Sequence, residues 1–261
     1  MLKTRRFGFS GAVISAAAIS AMPAAAGSIT LESQDREASI SIVALSDLIF
    51  ETNTDSINQT VSAPDFGPFA VVLDETIDAE DPEVFLDQLS SARATQNSSF
   101  TEAGSNFVAA ATGTSRYSSE GTDQLTFADS DFEVVFTVDS PTDYILEGEG
   151  YYTDGASGAG GFSVNLFQTT YGDVYATNGF ADSGPDFDGM IETVAISDSG
   201  TLAAGTYTFR LTSGVSGGVT GGSVVDAGYD VSLTLVNTAP TPAALPAGLM
   251  LGSMLLTRRR R

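Results

Sequence analysis

Hydrophobic and polar residues alternate one by one through much of the middle of the chain. The alternating runs are, in chain order, 40–42, 132–138, 162–166, 194–196, 207–211 and 229–235. Between the apolar positions stand mostly Asp, Glu, Ser and Thr. Because successive side chains of a β-strand point to opposite faces, this period of two predicts strands with one buried face. We expect nine to eleven of them.

Glycine and serine are concentrated between these runs, at 155–161, 182–189 and 213–223. Such clusters are typical of turns, and no helical period separates most of the runs. Strands that are joined by turns alone favour antiparallel pairing. A body of about 210 residues fits one domain. We therefore predict an all-β fold, an antiparallel β-sandwich that is jelly-roll-like.

Two segments are predicted to differ from strands. Asp81, Pro82 and Glu83 have the order expected at the start of a helix, and apolar residues at 85–89 would give it one buried face. We therefore predict one short helix there. The segment 56–69 is predicted to be a loop.

Charge is distributed unevenly along the chain. All 33 carboxylates lie between Glu32 and Asp230, whereas seven of the 11 basic residues lie close to the two ends. The middle keeps four arginines against 33 carboxylates, which gives it a net charge of −29, although the whole chain carries −22. Nucleic acid and anionic lipid bind through Lys and Arg, so we expect neither as a partner of the body.

Several reactive residue types are missing. The chain has no His and no Cys, and Lys3 is its single lysine. Thiolate nucleophiles, imidazole bases and the usual zinc ligands are therefore absent. Carboxylate chemistry and hard-cation binding remain. We expect a protein that is not an enzyme.

The first 26 residues have the three parts of a secretory signal. Basic residues at 3–6 precede an apolar stretch at 8–21, and small residues at 24–26 form an A-x-A site. We predict cleavage between Ala26 and Gly27. The alternative is a short membrane anchor, but the stretch falls below the ~20 residues that span a bilayer.

The last residues form a Pro-rich motif, an apolar stretch at 243–256 and a terminal run of arginines. This order resembles the PEP-CTERM class of sorting signals, with Pro-Thr-Pro in place of the usual Pro-Glu-Pro. The motif residues are Pro240, Thr241, Pro242, Arg258, Arg259, Arg260 and Arg261. The resemblance implies transient membrane insertion, processing by an integral-membrane exosortase, and release or attachment outside the cell. An ordinary tail anchor is the alternative.

Two motifs in the middle resemble ectodomains that carry such tails. The segment 140–146 resembles their "SPxxYxL" strand entry, and 200–209 resembles their "GxLxxGxYxx" turn. In the second motif we expect Leu202 to close one end of the sandwich, Gly205 to turn the chain and Tyr207 to enter the core.

The candidate metal ligands are Asp182, Asp186 and Asp188, which lie in a Gly-rich loop. Their spacing could place several oxygens around calcium, a hard cation. The alternative is a solvated acidic turn. A second acidic segment, 74–87, is predicted to be mainly solvated surface.

A pair of carboxylates also permits glycosidase chemistry. Glu147 and Glu149 alternate on one strand face and are candidates for an acid and a base. The aromatic residues that could stack a sugar there are Tyr151, Tyr152, Tyr171 and Tyr175.

Together these features predict a signal peptide over 1–26, an ectodomain over 27–238 and a sorting tail over 239–261. We expect an exported surface or matrix protein with a structural or adhesive role in the envelope or exopolysaccharide. The alternatives are a calcium-dependent carbohydrate-binding module and a carboxylate-based glycosidase. The expected partners are an exosortase-like enzyme and extracellular polysaccharide, and the expected cofactor, if the acidic loop holds one, is calcium.

Overall fold

The fold was analysed in a computed structural model. It describes residues 27–48, 51–81, 86–103, 106–119, 124–153, 158–170, 172–181, 190–218 and 223–236. These residues belong to the unit Ala26–Ala239. The predicted signal and sorting tail lie outside the described residues, and so do the helices predicted for them.

Within these ranges the chain forms twelve β-strands and no helix. The strands are β1 Ile29–Leu48, β2 Glu51–Ser62, β3 Phe69–Asp81, β4 Leu86–Ala103, β5 Asn106–Ser119, β6 Gln124–Val138, β7 Thr142–Thr153, β8 Gly158–Gln168, β9 Gly172–Ala181, β10 Ile191–Leu202, β11 Gly205–Gly218 and β12 Ser223–Val236.

The strands form two antiparallel sheets of six. Sheet A has the order β2-β1-β6-β11-β8-β9, and sheet B has the order β10-β7-β12-β5-β4-β3. Four pairs are nested in the sequence, β5 with β12, β6 with β11, β7 with β10 and β8 with β9. Successive nested pairs alternate between the sheets. The predicted β-sandwich is confirmed.

The alternating residues occupy the inner faces of the two sheets, as predicted. The alternate apolar residues of 132–138, 207–211 and 229–235, counted from the first residue of each run, are all buried. They belong to the larger of two apolar clusters, and the smaller cluster, with Ile40 and Ile42, fills the other end of the sandwich.

A layer of buried polar residues separates the two apolar clusters. Its members are Arg36, Gln96, Ser98, Ser115, Ser130 and Ser213. Along β6, for example, Ser130 lies between Ala128 of the smaller cluster and Phe132 of the larger one. Burial of such groups costs free energy unless they are hydrogen-bonded, so their partners decide how the layer is held.

The hydrogen bonds of this layer run from one sheet to the other. Ser115 Oγ in sheet B donates to the Ser213 carbonyl in sheet A over 3.1 Å. Gln96 Nε2 donates to the Asp131 carbonyl over 2.9 Å. The hydroxyls of Ser130 and Tyr229 lie 3.2 Å apart. Each of these contacts joins one strand of sheet A to one strand of sheet B.

Arg36 is the charged member of the layer, and its side chain is 1% exposed. Its Nη1 donates to Ser98 Oγ in sheet B over 3.2 Å, and its Nη2 donates to the carbonyls of Asp65 and Gly67. The guanidinium carbon also lies 4.9 Å from the centre of the Phe100 ring. Because 63–68 joins β2 in sheet A to β3 in sheet B, Arg36 holds the crossover in place. Burial lowers the pKa of Arg36, and the neighbouring Asp65 opposes that shift.

The predicted helix and loop are wrong where the structure describes them. Residues 86–89 begin β4 and pair with β3, while 82–85 lie outside the described residues. Strand pairing has outweighed the local capping signal. Residues 56–62 belong to β2 and pair with β1, and only 63–68 lie outside strands. As an edge strand β2 has mostly polar residues, so its alternation is weak.

The entry of Tyr207 into the core, predicted from the 200–209 motif, is confirmed. Leu202 and Tyr207 are both buried. The Tyr207 hydroxyl donates to the Ala203 carbonyl over 2.9 Å, which fastens the turn between β10 and β11. Gly205 is the first residue of β11.

Replacing Arg36 by Met is expected to lower the free energy of unfolding by about 2–5 kcal/mol, because the buried Ser98 hydroxyl and the carbonyls of 65 and 67 lose their donor. Urea unfolding measures this change. The matched control is Arg93→Met. Arg93 is an exposed arginine of β4 whose ion pair with Asp74 spans 3.8 Å, so its loss should cost about 1 kcal/mol or less. Equal losses for both variants would contradict the role of Arg36.

Candidate functional site

Most of the predicted site residues lie outside the described part of the chain. This applies to Asp182, Asp186 and Asp188, to Ala26, and to all seven residues of the sorting motif. Gly27 alone among them is described. In the described ranges no three side chains of Asp, Glu, His or Cys are grouped so that they could hold a metal ion. Those ranges also contain no helix with the length and apolar character needed to cross a bilayer.

The glutamate pair lies on the outer face of sheet B. Glu147 and Glu149 line a depression of about 430 Å³ together with Gly148, Asp230 and Ser232. Both glutamates are exposed. A glycosidase acid is usually kept protonated by burial, and this pair lacks the unequal burial that would separate an acid from a base.

The predicted tyrosines do not share one surface. Tyr151 and Tyr152 are consecutive in β7, so their side chains point to opposite faces of sheet B. Tyr175 lies in sheet A and packs against the core, and Tyr171 is outside the described residues. The three tyrosines that the structure describes therefore do not form a sugar platform.

A different depression lies on the outer face of sheet A, and sequence reasoning missed it. Gly214 of β11 pairs with Gly161 of β8, and both face outward because their strand neighbours are buried. With strands ~4.8 Å apart, two adjacent positions without side chains leave a depression between the outward side chains of the neighbouring strands. We call this depression of about 340 Å³ the glycine groove. Its lining residues are Gly161, Phe162, Ser163, Asn178, Gly179, Phe180, Thr212 and Gly214.

The two ends of the glycine groove differ in chemistry. Asp129 of β6 lies opposite Gly214, and Phe180 of β9 lies opposite Gly161. A Cβ added to Gly214 would be 2.6 Å from Asp129 Oδ1, and one added to Gly161 would be 2.9 Å from the Phe180 ring. The absence of side chains at the two glycines therefore lets the carboxylate and the aromatic ring lean over these positions. Phe180 is 64% exposed.

Hydroxyl and amide groups line one side of the glycine groove. The hydroxyls of Ser163 and Thr212 lie 2.8 Å apart. Asn165 Nδ2 donates to Ser163 Oγ over 3.3 Å, which orients that hydroxyl. Asn178 lies opposite Ser163 on β9. These groups can both donate and accept hydrogen bonds.

Asp129, the carboxylate at the Gly214 end of the groove, binds a proton more tightly than an ordinary aspartate does. Burial raises the pKa of Asp129 to about 6, and the negative charges of Asp131 and Glu37 add to the effect. The pKa of Asp131 is also raised, mainly by burial, although Arg210 opposes that shift. A carboxyl that titrates near pH 6 beside a surface depression is typical of functional sites.

No family model matches the chain, and no curated protein matches it. Solved structures with some likeness include a chain of infectious bursal disease virus Gx strain, 10% identical with a TM-score of 0.28, and one of the Gt strain, 14% identical with a TM-score of 0.17. The matches cover 86% and 91% of this chain, and 60% and 74% of the viral chains. This chain therefore spans less than two thirds of the Gx chain. Because both TM-scores are low, these similarities say nothing about the fold or the function of this chain.

Replacing Asp129 by Asn is expected to stabilise the fold at about pH 7. Because the pKa of Asp129 is raised to about 6, the folded protein binds this proton more tightly than the unfolded chain does. The free energy of unfolding therefore falls as the pH rises from about 4 to about 6. Allowing for solvent screening, the gain should be about 1 kcal/mol near pH 7 and should vanish towards pH 4. Thermal unfolding across this pH range measures it.

The matched control for that substitution is Asp78→Asn, an exposed carboxylate of β3 in sheet B. It should not give the gain in stability that is expected of Asp129→Asn near pH 7. A loss of stability in Asp129→Asn near pH 7 would show that the ionised carboxylate is favourable, contrary to its raised pKa.

Proposed function

We propose that this chain is an exported cell-surface or extracellular-matrix protein with a structural or adhesive role in the envelope or exopolysaccharide. A signal peptide removed before Gly27 starts its export, and an exosortase-like enzyme processes its PEP-CTERM-like tail after transient membrane insertion. The protein is not an enzyme in this proposal.

The observation that carries the proposal is the anchoring of Ser28, close to the predicted cleavage point, by hydrogen bonds to Asp139. The Ser28 amide donates to Asp139 Oδ1 over 2.7 Å, and the Ser28 hydroxyl donates to Oδ2 over 2.8 Å. In return the Asp139 amide donates to the Ser28 carbonyl over 3.3 Å. The hydrogen bonds from Ser28 hold the pKa of Asp139 below its usual range. The body is thus fastened at the second residue after the predicted cleavage point.

Gly27 itself supports cleavage at this position. A Cβ on Gly27 would collide with the Ser140 hydroxyl and lie 2.8 Å from Asp139 Oδ1. Cleavage before Gly27 would create a terminal ammonium on a residue that borders this carboxylate, and the two opposite charges attract. The new end of the chain would then stabilise the fold.

The nested pairing of β5 to β12 supports the finer description of the fold as a jelly roll. In that fold one long hairpin of eight strands is wound into two sheets. The strands β1 and β2 then extend sheet A beside β6, and β3 and β4 extend sheet B beside β5.

The charge of the body is compatible with soluble or polymeric partners outside the cell. A body that carries 33 carboxylates and four arginines stays soluble, and it favours cationic partners over anionic ones. Extracellular polysaccharide remains the proposed partner. Calcium at Asp182, Asp186 and Asp188 remains a proposal of the same kind.

A second candidate function is that of a carbohydrate-binding module. The glycine groove favours it, because an exposed aromatic ring stands there beside hydroxyl and amide groups. The two functions are compatible, since an adhesive matrix protein needs a surface that binds the matrix.

Replacing all four residues Arg258, Arg259, Arg260 and Arg261 by Ser tests the sorting role. We expect the variant to mature incorrectly, because the positive charges that hold the tail on the cytoplasmic side are gone. Fractionation of the source cells with an antibody to the body should show loss of the mature surface form. The control is a fourfold Arg→Lys variant, which keeps the charge. An unchanged distribution of the Ser variant would contradict the proposal.

A further inference from the structure

The glycine groove has the dimensions of a site for one small ring. Its volume of about 340 Å³ lies at the lower end of the range for ligand pockets, about 300–1,000 Å³. Asp129 and Phe180 reach the two glycine positions from opposite ends of the groove. A ligand in the groove can therefore contact the carboxylate with one edge and the aromatic ring with the other.

Phe180 provides the apolar contact. Its side chain is 64% exposed on the edge strand β9, so a ligand that covers it removes apolar surface from water. The face of an aromatic ring carries negative charge density, which attracts polarised C–H groups and cations. One face of a pyranose ring presents such C–H groups.

The side of the groove provides the polar contacts. Ser163, Thr212 and Asn178 line it together. Each of these side chains both donates and accepts. Ligand hydroxyl groups, which also do both, match this side better than a purely apolar ring would.

Asp129 provides the charge. The groups that face it are Asp131 on its own strand and Glu37 on β1, both negative, and Arg210 of β11 lies nearer to Asp131. The repulsion among the three carboxylates is not balanced by a cation beside Asp129 in the described residues. A positive group bound at this end would relieve it. A neutral ligand would leave the repulsion, and an anionic one would increase it.

We propose that the glycine groove binds a pyranose ring that carries a protonated amine, with the ring on Phe180, its hydroxyls on Ser163 and Asn178, and its ammonium on Asp129. The partner class is therefore an amino-sugar polysaccharide with free amines. This deepens the proposed adhesive function and rests on it for the biological setting alone.

The test is calorimetric titration of the full chain, kept in a detergent without a sugar headgroup, with a glucosamine tetrasaccharide at about pH 6.5. The same tetrasaccharide with every amine N-acetylated has the same rings without the charge. We expect the free-amine form to bind about 10–100-fold more tightly, because the charge-assisted contact is lost on acetylation.

Three variants test the named contacts. Asp129→Asn and Phe180→Ala should each weaken binding of the free-amine form about tenfold or more. Gly214→Val should abolish this binding, because the valine side chain would fill the groove above position 214. The controls are Asp78→Asn and Val72→Ala, which remove a charge and an exposed apolar side chain on β3. They should bind as the wild type does. Because Asp129→Asn is expected to stabilise the fold, weaker binding by that variant would not come from unfolding.

The pH dependence gives an independent check. Between about pH 6.5 and 5 the amine stays charged while Asp129 takes up a proton, so the affinity of the wild type should fall, and that of Asp129→Asn should change less. Equal affinity for both tetrasaccharides, no effect of Asp129→Asn, or tighter binding of a lysine-rich peptide would each overturn the proposal. Since the titration uses purified protein, its result is separate from that of the tail variants.

Discussion

The sandwich depends on a layer of hydrogen bonds that crosses its core. Apolar packing holds two sheets together without fixing how one lies over the other, because it has no direction. The contacts of Ser115 with Ser213, of Gln96 with Asp131, and of Arg36 with Ser98 do have direction, and each joins sheet A to sheet B. A shifted sheet would leave these buried groups unpaired, at a cost of about 1–3 kcal/mol for each. The layer thus fixes the alignment of the sheets.

That alignment leaves the outer faces free to carry function. With the core held from within, outward positions can be acidic, as at Asp129 and Asp131, or can lack a side chain, as at Gly161 and Gly214. The glycine groove exists because two such positions on neighbouring strands coincide. The ionised carboxylate of Asp129 destabilises the fold, and the packing of the core offsets this cost. In the proposed function the inner faces provide stability and the outer faces provide adhesion.

Sequence could predict the features that depend on local periodicity. The alternation of 132–138 and 229–235 identified buried strands, and the role of Leu202 and Tyr207 followed from one motif. It could not predict features that depend on which strands become neighbours. β2 was missed because an edge strand of polar residues alternates weakly, and the helix was wrongly predicted because strand pairing outweighs a capping signal. The glycine groove and the burial of Arg36 required the register between strands distant in sequence.

The central claim is that a folded body is exported and processed at both ends. Its most direct test is the intact mass of the protein recovered from the surface and medium of the cells that make it. The account predicts a product that begins at Gly27, where Ser28 is bonded to Asp139, and ends near Pro240, with or without an attached group. A product that still carries Arg258 to Arg261 and stays in the membrane would contradict the account.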